Sequence, residues 1–180
     1  FINNLLDRAQ LESGKLKFNM KPVITHDLTE EVQAQVAVLA EAKGLSFTCT
    51  RAEDVPDVIF GDRYWLRQLM LNLISNAIKF TDEGSVSLFL FRNGDQWGFR
   101  VTDTGSGITD EAKGRAFQAF EQGDSAHTGS VKGIGLGLSI VNEVVALMNG
   151  EVALESMVGQ GTTFTVTLPL LPLPLEEEAE

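Results

Sequence analysis

The sequence predicts an α+β fold: an α/β sandwich whose mixed, mostly antiparallel sheet of about five strands is covered on one face by three helices. Three observations predict it. Apolar residues recur at helical spacing in three longer segments. Two alternating runs flank Arg92-Asn93-Gly94-Asp95, a strong hairpin signal. A second pair of alternating runs follows the last helical segment, around Glu151 to Glu155 and Thr162 to Leu168. Short hairpins mark an antiparallel element, which excludes a plain doubly wound unit.

Phe1 to Glu12 places Ile2, Leu5, Leu6 and Ala9 at helical spacing, with Asn3, Asn4, Asp7 and Arg8 on the other face, and Ser13-Gly14 stops it. This helix opens without a cap, so it is expected to continue upstream. Lys15 to Val23 reads as a strand ending near Pro22. Asp27 with Glu30 gives a capping-box-like helix start, Leu28, Val32, Val36 and Leu39 follow on one face, and Lys43-Gly44 closes it. Leu45 to Arg51 and Val58 to Gly61 read as strands, and Asp62 to Lys79 as a helix. Ser85 to Phe91 and Gln96 to Asp103 form the hairpin. A short helix is expected around Asp110 to Ala116, a mobile polar loop over Gly123 to Lys132, and a helix from near Gly135 that buries Ile140, Val141, Val144, Val145 and Met148 before Asn149-Gly150 ends it. From Pro169 the chain turns Pro/Leu-rich and then acidic, as a linker does.

The 180 residues are 43% hydrophobic and 22% charged, which suits a single globular domain. No apolar run reaches the roughly 18 residues that span a membrane, and no secretory signal opens the chain; the piece is expected to be soluble by itself. The net charge of −11 argues against nucleic acid and requires a local device for any anionic ligand. A single cysteine, Cys49, excludes an internal disulfide and a multi-cysteine metal site; it reads as a small core residue.

Five constellations carry possible chemistry. On the helix Asp62 to Lys79, Leu66, Leu69, Met70, Leu73 and Ala77 make an apolar stripe, and Asn72, Asn76 and Lys79 line a second stripe within about 60° of one another. That second stripe is either a solvated face or a place where an amide oxygen meets Mg2+ and an ammonium meets phosphate. In the strand ending at Asp103, Trp97, Phe99, Val101 and Asp103 share one parity, so a carboxylate takes the last inward position. A buried carboxylate needs hydrogen bonds. Asp103 either opens the turn Thr104-Gly105-Ser106-Gly107-Ile108 or reads the amine of an adenine, with the glycines letting backbone approach a flat ligand. Thr162 also points inward, after Gly159-Gln160-Gly161; its hydroxyl can bond Asp103 or a water between Asp103 and a base. Gly133-Ile134-Gly135-Leu136-Gly137-Leu138 runs into a helix start, where backbone N–H groups hold phosphate. No strand enters that run and no Gly-Lys-Ser/Thr occurs in it, so the dinucleotide and Walker A readings fail. Phe117 and Phe120 are either core residues or the hinge of a lid.

In this order, the stretches are similar to the boxes of the catalytic domain of two-component sensor histidine kinases, within the wider GHKL group that shares the Bergerat ATP-binding fold. Asn72 to Thr81 resembles the N box, Asp103 to Ile108 the first glycine box, Phe117 to Gln122 the F box, Gly133 to Leu138 the second glycine box and Gly159 to Phe164 the third. The resemblance spans about Phe1 to Leu168. It implies ATP and Mg2+ as ligands: Asn76 as Mg2+ ligand beside Asn72, Lys79 on phosphate, Phe80 flanking the base and Asp103 on the adenine amine. Gly105, Gly107, Gly133, Gly135 and Gly137 would give backbone room and N–H donors. Ile108, Phe120, Lys132, Leu136, Leu138 and Thr162 complete the implied ATP site. Asn76 and Lys79 would carry catalysis.

The resemblance also implies a division of the chain: residues 1–16 as the end of the second helix of a dimerisation and histidine-phosphotransfer domain, 17–169 as the catalytic domain and 170–180 as linker or tail. The phosphoacceptor histidine of the family and the acidic residue after it are missing. His26 and His127 lack that context, so the chain alone is expected to bind ATP with little turnover. Lys132 and Ile134 stand where glycine and a small polar residue are common. Gln68 and the style of the N box resemble hybrid kinases that carry a receiver domain. The implied parent is a homodimer, anchored in the bacterial inner membrane, that phosphorylates its own histidine domain and passes the group to a response-regulator receiver. The alternatives are a degenerate nucleotide-binding docking module and another GHKL-type ATPase. The latter uses a carboxylate before the N box, where this chain has Arg67 and Gln68.

Overall fold

The computed structural model describes residues 2–114 and 136–175. The described elements run α1 (Ile2–Glu12), β1 (Lys21–Ile24), α2 (Thr25–Ala42), β2 (Ser46–Arg51), β3 (Val58–Gly61), α3 (Arg63–Phe80), β4 (Ser85–Asn93), β5 (Gln96–Asp103), α4 (Leu136–Leu147), β6 (Glu151–Met157) and β7 (Gly161–Pro169). Residues 110–114 form a helical turn. The main sheet has five strands in the order β2-β4-β5-β7-β6. β2 and β4 are parallel and the other three pairings are antiparallel. The α+β sandwich expected from the sequence is therefore present.

One sheet face is apolar because the alternation along each strand keeps one parity inward. Val86, Leu88 and Leu90 of β4, Phe99 and Val101 of β5, and Val166 of β7 are at most 1% exposed. They belong to one core with Leu28, Val32 and Val36 of α2, Leu69, Met70, Leu73 and Ile74 of α3, and Val141, Val144 and Val145 of α4. Cys49 on β2 is half-buried against this core, and burial pushes its thiol pKa up, so it stays protonated and unreactive.

Helix ends follow local chemistry. Asp62 caps α3, its carboxylate accepting from Trp65 N at 3.2 Å and from Asn19 N at 2.8 Å. Gly44 at φ +73 ends α2 while Leu45 N donates to Ala40 O, a Schellman closure. Asn149 at φ +57 plays the same part after α4, with Gly150 N donating to Val145 O.

Three sequence expectations change. The strand expected over Lys15 to Val23 is only Lys21–Ile24, and it pairs with β3 in a separate two-stranded sheet. Its partner has four residues, which limits the ladder to four pairs. The start of α2 is not capped by Asp27 and Glu30. It begins at Thr25, with Ile24 in the cap position, and the Thr25 hydroxyl lies 2.9 Å from Pro56 O while its N–H donates to Asp57 O, so tertiary bonds fix the start three residues earlier. On α1, Leu6 is 59% exposed and Ala9 is also exposed, whereas Asp7 is 3% exposed.

The buried Asp7 has a definite cause. Its carboxylate accepts from Tyr64 Oη at 2.7 Å and from Gln68 Nε2 at 3.3 Å, and Gln68 Nε2 also reaches Tyr64 Oη at 3.1 Å. A polar triad thus docks α1 on α3, with Leu11 buried one turn on. Tyr64→Phe removes one donor to a buried carboxylate. It is expected to lower stability by about 1.5–3 kcal/mol, the worth of a hydrogen bond to a charged group, measured as a lower urea midpoint at unchanged slope.

Candidate functional site

The site lies where α3 ends, β5 ends and the β6–β7 hairpin turns. β5 delivers Asp103 to the last inward position, as its parity requires, and leaves it 7% exposed. Three donors meet its carboxyl group. Gly105 N donates at 2.9 Å, and Thr162 N and the Thr81 hydroxyl also bond it. Burial raises the Asp103 pKa above its ordinary 3.8, and these three hydrogen bonds partly offset the rise. Thr81, fully buried after α3, has its hydroxyl 2.7 Å from Ala77 O as well, so its one proton is shared between that carbonyl and Asp103, and the helix end is tied to the floor of the site.

The glycine turn after Asp103 is pressed between two neighbours. A Cβ on Gly105 would lie 2.4 Å from Phe80 O, and one on Gly107 would lie 2.2 Å from Met157 O. Gly107 also has φ +71. The protein's own backbone already requires glycine at both positions, and Gly107 also lines a cavity. Gly159 N donating to Ser106 O at 2.8 Å stitches the hairpin tip to the same turn.

A cavity of about 300 Å³ opens above this floor, large enough for part of a nucleotide-sized ligand. Of the residues singled out in the sequence, Asn76, Phe80, Asp103, Gly107, Ile108, Leu138 and Thr162 line it. Asn72 sits one turn before Asn76 on α3, and both amide nitrogens are buried without a hydrogen-bond partner. Two unsatisfied buried amides on one stripe are a cost that a ligand can relieve. Lys79 is exposed at the end of α3, its ammonium 5.6 Å from the centroid of the Phe80 ring. Gly105 stands behind Asp103 rather than in the wall. Leu136 and Gly137 are the first residues of α4. Phe120, Lys132, Gly133 and Gly135, with Phe117, His127, Ile134 and the expected lid, lie outside the described residues.

Of the two bonds expected of the Thr162 hydroxyl, to Asp103 or to a water between Asp103 and a base, the first is not made. Thr162 bonds Asp103 through its backbone N–H, whereas its hydroxyl pairs with Ser156 Oγ at 2.8 Å. The register explains this: Asp103 and Ser156 flank Thr162 on β5 and β6, so three inward side chains form one row across the sheet. Ser156 and Thr81 were not singled out in the sequence. Ser156 could have been, since Val152, Leu154 and Ser156 share one parity, but the strand was ended at Glu155.

The residue types suit a divalent ion held chiefly by its ligand. Among the described residues, no group of three or more His, Cys, Asp or Glu side chains could hold a metal. An amide oxygen with phosphate oxygens and water is a fitting set for Mg2+, which keeps several waters and uses few protein ligands. Arg67 and Gln68, which precede the Asn72 stripe on α3, are engaged with other elements. Arg67 pairs with Glu31 at 2.6 Å and Gln68 bonds Asp7. Glu31 also holds Arg63 at 2.8 Å, and hydrogen bonds from Arg63 and then Arg67 lower its pKa. No helix among the described residues is long and apolar enough to cross a membrane.

Comparison with known proteins fits this geometry. The circadian input-output histidine kinase CikA of Synechococcus elongatus is 36% identical over 170 residues, which cover 93% of this chain and 22% of that protein. The sensor histidine kinase RcsC of Escherichia coli is 36% identical over 169 residues, covering 94% of this chain and 18% of that protein. The chain thus spans about a fifth of the length of these curated relatives. Among solved structures, full-length ShkA in complex with AMPPNP superposes with a TM-score of 0.79 at 34% identity, over 94% of this chain and 35% of that one. The nucleotide-free catalytic domain of the histidine kinase ThkA shares the fold, with a TM-score of 0.71 at 22% identity over 85% of this chain and 97% of that one. Residues 61–172 match the family described as histidine kinase-, DNA gyrase B-, and HSP90-like ATPase. The chain belongs to this ATPase family.

Proposed function

We propose that this chain is the ATP-binding catalytic domain of a sensor histidine kinase. It binds Mg-ATP and donates the γ-phosphoryl to a histidine of a dimerisation domain, from which the group passes to an aspartate of a response-regulator receiver. The observation that carries the reading is the cavity itself. A buried carboxylate lies at its floor, and Asn76, whose buried amide nitrogen has no partner and can donate to a ligand oxygen, stands on its helical wall.

The residues divide the work. Asp103 accepts from the exocyclic amine of adenine, held in place by Gly105 N, Thr162 N and Thr81. Phe80, Ile108 and Leu138 enclose the base. Asn76 offers an amide oxygen to Mg2+, with Asn72 beside it, and Lys79 meets phosphate as a point charge. Bound Mg2+ neutralises charge on the phosphates. The resemblance adds Phe120, Lys132, Gly133, Gly135, Leu136 and Gly137 to the ATP site, with backbone N–H groups at the start of α4 as phosphate donors. The protein's share of phosphoryl transfer is then positioning and charge neutralisation. The nucleophile comes from outside residues 17–169, with residues 1–16 as the end of the second helix of the dimerisation domain and 170–180 as linker or tail. α3 contains no Asp or Glu, which disfavours water activation from that helix and hence a self-contained hydrolase.

Titration of AMPPNP into wild type and Asn76→Ala, with and without Mg2+, tests the metal assignment. Mg2+ is expected to tighten wild-type binding by about tenfold or more, about 1.4 kcal/mol, and to leave Asn76→Ala nearly unchanged. An equal Mg2+ effect in both proteins would remove Asn76 as the ligand. The transfer step is tested in a longer parent chain, where γ-labelled ATP should give an acid-labile phosphohistidine.

A further inference from the structure

The row Asp103, Thr162, Ser156 has a hydrogen-bond polarity that can be read from proton counting. A serine hydroxyl has one proton and two lone pairs. Ser156 Oγ accepts from Ile108 N at 2.8 Å and donates to Gly161 O at 2.9 Å. Its single proton is therefore spent on a backbone carbonyl. In the 2.8 Å contact between Ser156 Oγ and Thr162 Oγ1, the proton must then come from Thr162. Thr162, 7% exposed and lining the cavity, has only lone pairs left for the space in front of it. Asp103 as a carboxylate is likewise an acceptor only.

We propose that Ser156 is a specificity-determining positioning residue: by holding the Thr162 proton away from the cavity, it makes the floor acceptor-only and selects a purine with an amine at position 6 over one with a carbonyl. This rests on the nucleotide-binding reading above and deepens it. An exocyclic amine donates to such a floor, directly or through a water. A 6-oxo group faces lone pairs and leaves the floor unsatisfied. Sites built to hydrogen-bond one group reject the analogue that cannot. Ser156 itself acts through Thr162; its hydroxyl is committed to Ile108, Gly161 and Thr162.

ADP and inosine diphosphate differ at position 6 of the base and need no turnover, so the test is calorimetric titration of both into wild type, Ser156→Ala and Ser156→Thr. Alanine frees the Thr162 hydroxyl to donate. The ADP-over-IDP preference should narrow by about three- to tenfold, the worth of one neutral hydrogen bond, and threonine should restore it. In a Thr162→Val background, Ser156→Ala should leave the ratio unmoved. A merely structural Ser156 would weaken both nucleotides alike. An unchanged ratio in Ser156→Ala, with wild type binding ADP, overturns this inference alone. A wild-type chain that binds no ADP overturns the functional reading and this inference with it.

Discussion

Asp103→Asn is expected to remove half or more of the thermal shift that Mg-AMPPNP gives the wild-type chain. Ligand at about 100 times its dissociation constant stabilises by roughly 2.7 kcal/mol. For a domain of this size that is about 5–10 °C, at roughly 2–4 °C per kcal/mol. Asparagine keeps the shape and an acceptor oxygen for Gly105 and Thr162 but loses the charge. A hydrogen bond to a charged group is worth about 1.5–3 kcal/mol, so affinity should fall roughly tenfold to 150-fold. At the same ligand concentration the stabilisation then falls to between about 1.4 and 0.3 kcal/mol, a loss of about half to nine-tenths of the shift.

The same variant has a distinct effect without ligand. Burial raises the Asp103 pKa above 3.8 in the folded chain. A raised folded-state pKa gives a stabilisation that is complete below the unfolded value and is lost as pH rises through the folded value. At neutral pH the wild type therefore carries a buried charge at a cost that asparagine avoids. Asp103→Asn should unfold no earlier than wild type at pH 7, and its stability should lack that downward step across the acid range. A variant that unfolds well below wild type at pH 7 would show that the three hydrogen bonds outweigh burial.

Gly161→Ala is expected to cost about 2–6 kcal/mol of stability, and nucleotide affinity with it. Gly161 has φ +113, and a Cβ there would lie 1.9 Å from Asp103 O. Backbone strain contributes about 1–3 kcal/mol, and relieving the overlap adds about 1–3 kcal/mol more. The clash falls on the strand end that positions Asp103, so the floor must shift. Gly159→Ala separates the two causes. Gly159 has φ +80 but nothing within 4 Å of its Cβ position. It should lose only the strain share and keep its nucleotide affinity. Equal losses of stability and affinity in the two variants, read by thermal melts and AMPPNP titration, would contradict the clash at Asp103.

Much of this was legible because it depends on local periodicity. Gln96–Asp103 and Val58–Gly61 follow from alternation and turn residues alone. The stripe of Asn72 and Asn76 follows from helical spacing, and the inward placement of Asp103 and Thr162 from strand parity. What was not legible depends on partners distant in sequence. Leu16 and Phe18 look strand-like and do pack on the core, yet the ladder waits for β3 and begins only at Lys21. Asp7 looks solvent-facing until Tyr64 and Gln68, far along the chain, bond it. The Thr162 hydroxyl points to Ser156 because β6 runs two residues past the expected end, to Met157. Gly105 and Gly107 were recognised as required, but the atoms that require them, Phe80 O and Met157 O, belong to other elements.

The central claim is that the cavity over Asp103 is an adenine-nucleotide site completed by Mg2+ at Asn76. The most direct measurement is the thermal midpoint of the wild-type chain alone, with AMPPNP, and with AMPPNP plus Mg2+. The account predicts a rise of about 5–10 °C at saturation that is largest with Mg2+. A folded chain whose midpoint does not move with AMPPNP and Mg2+ would contradict it.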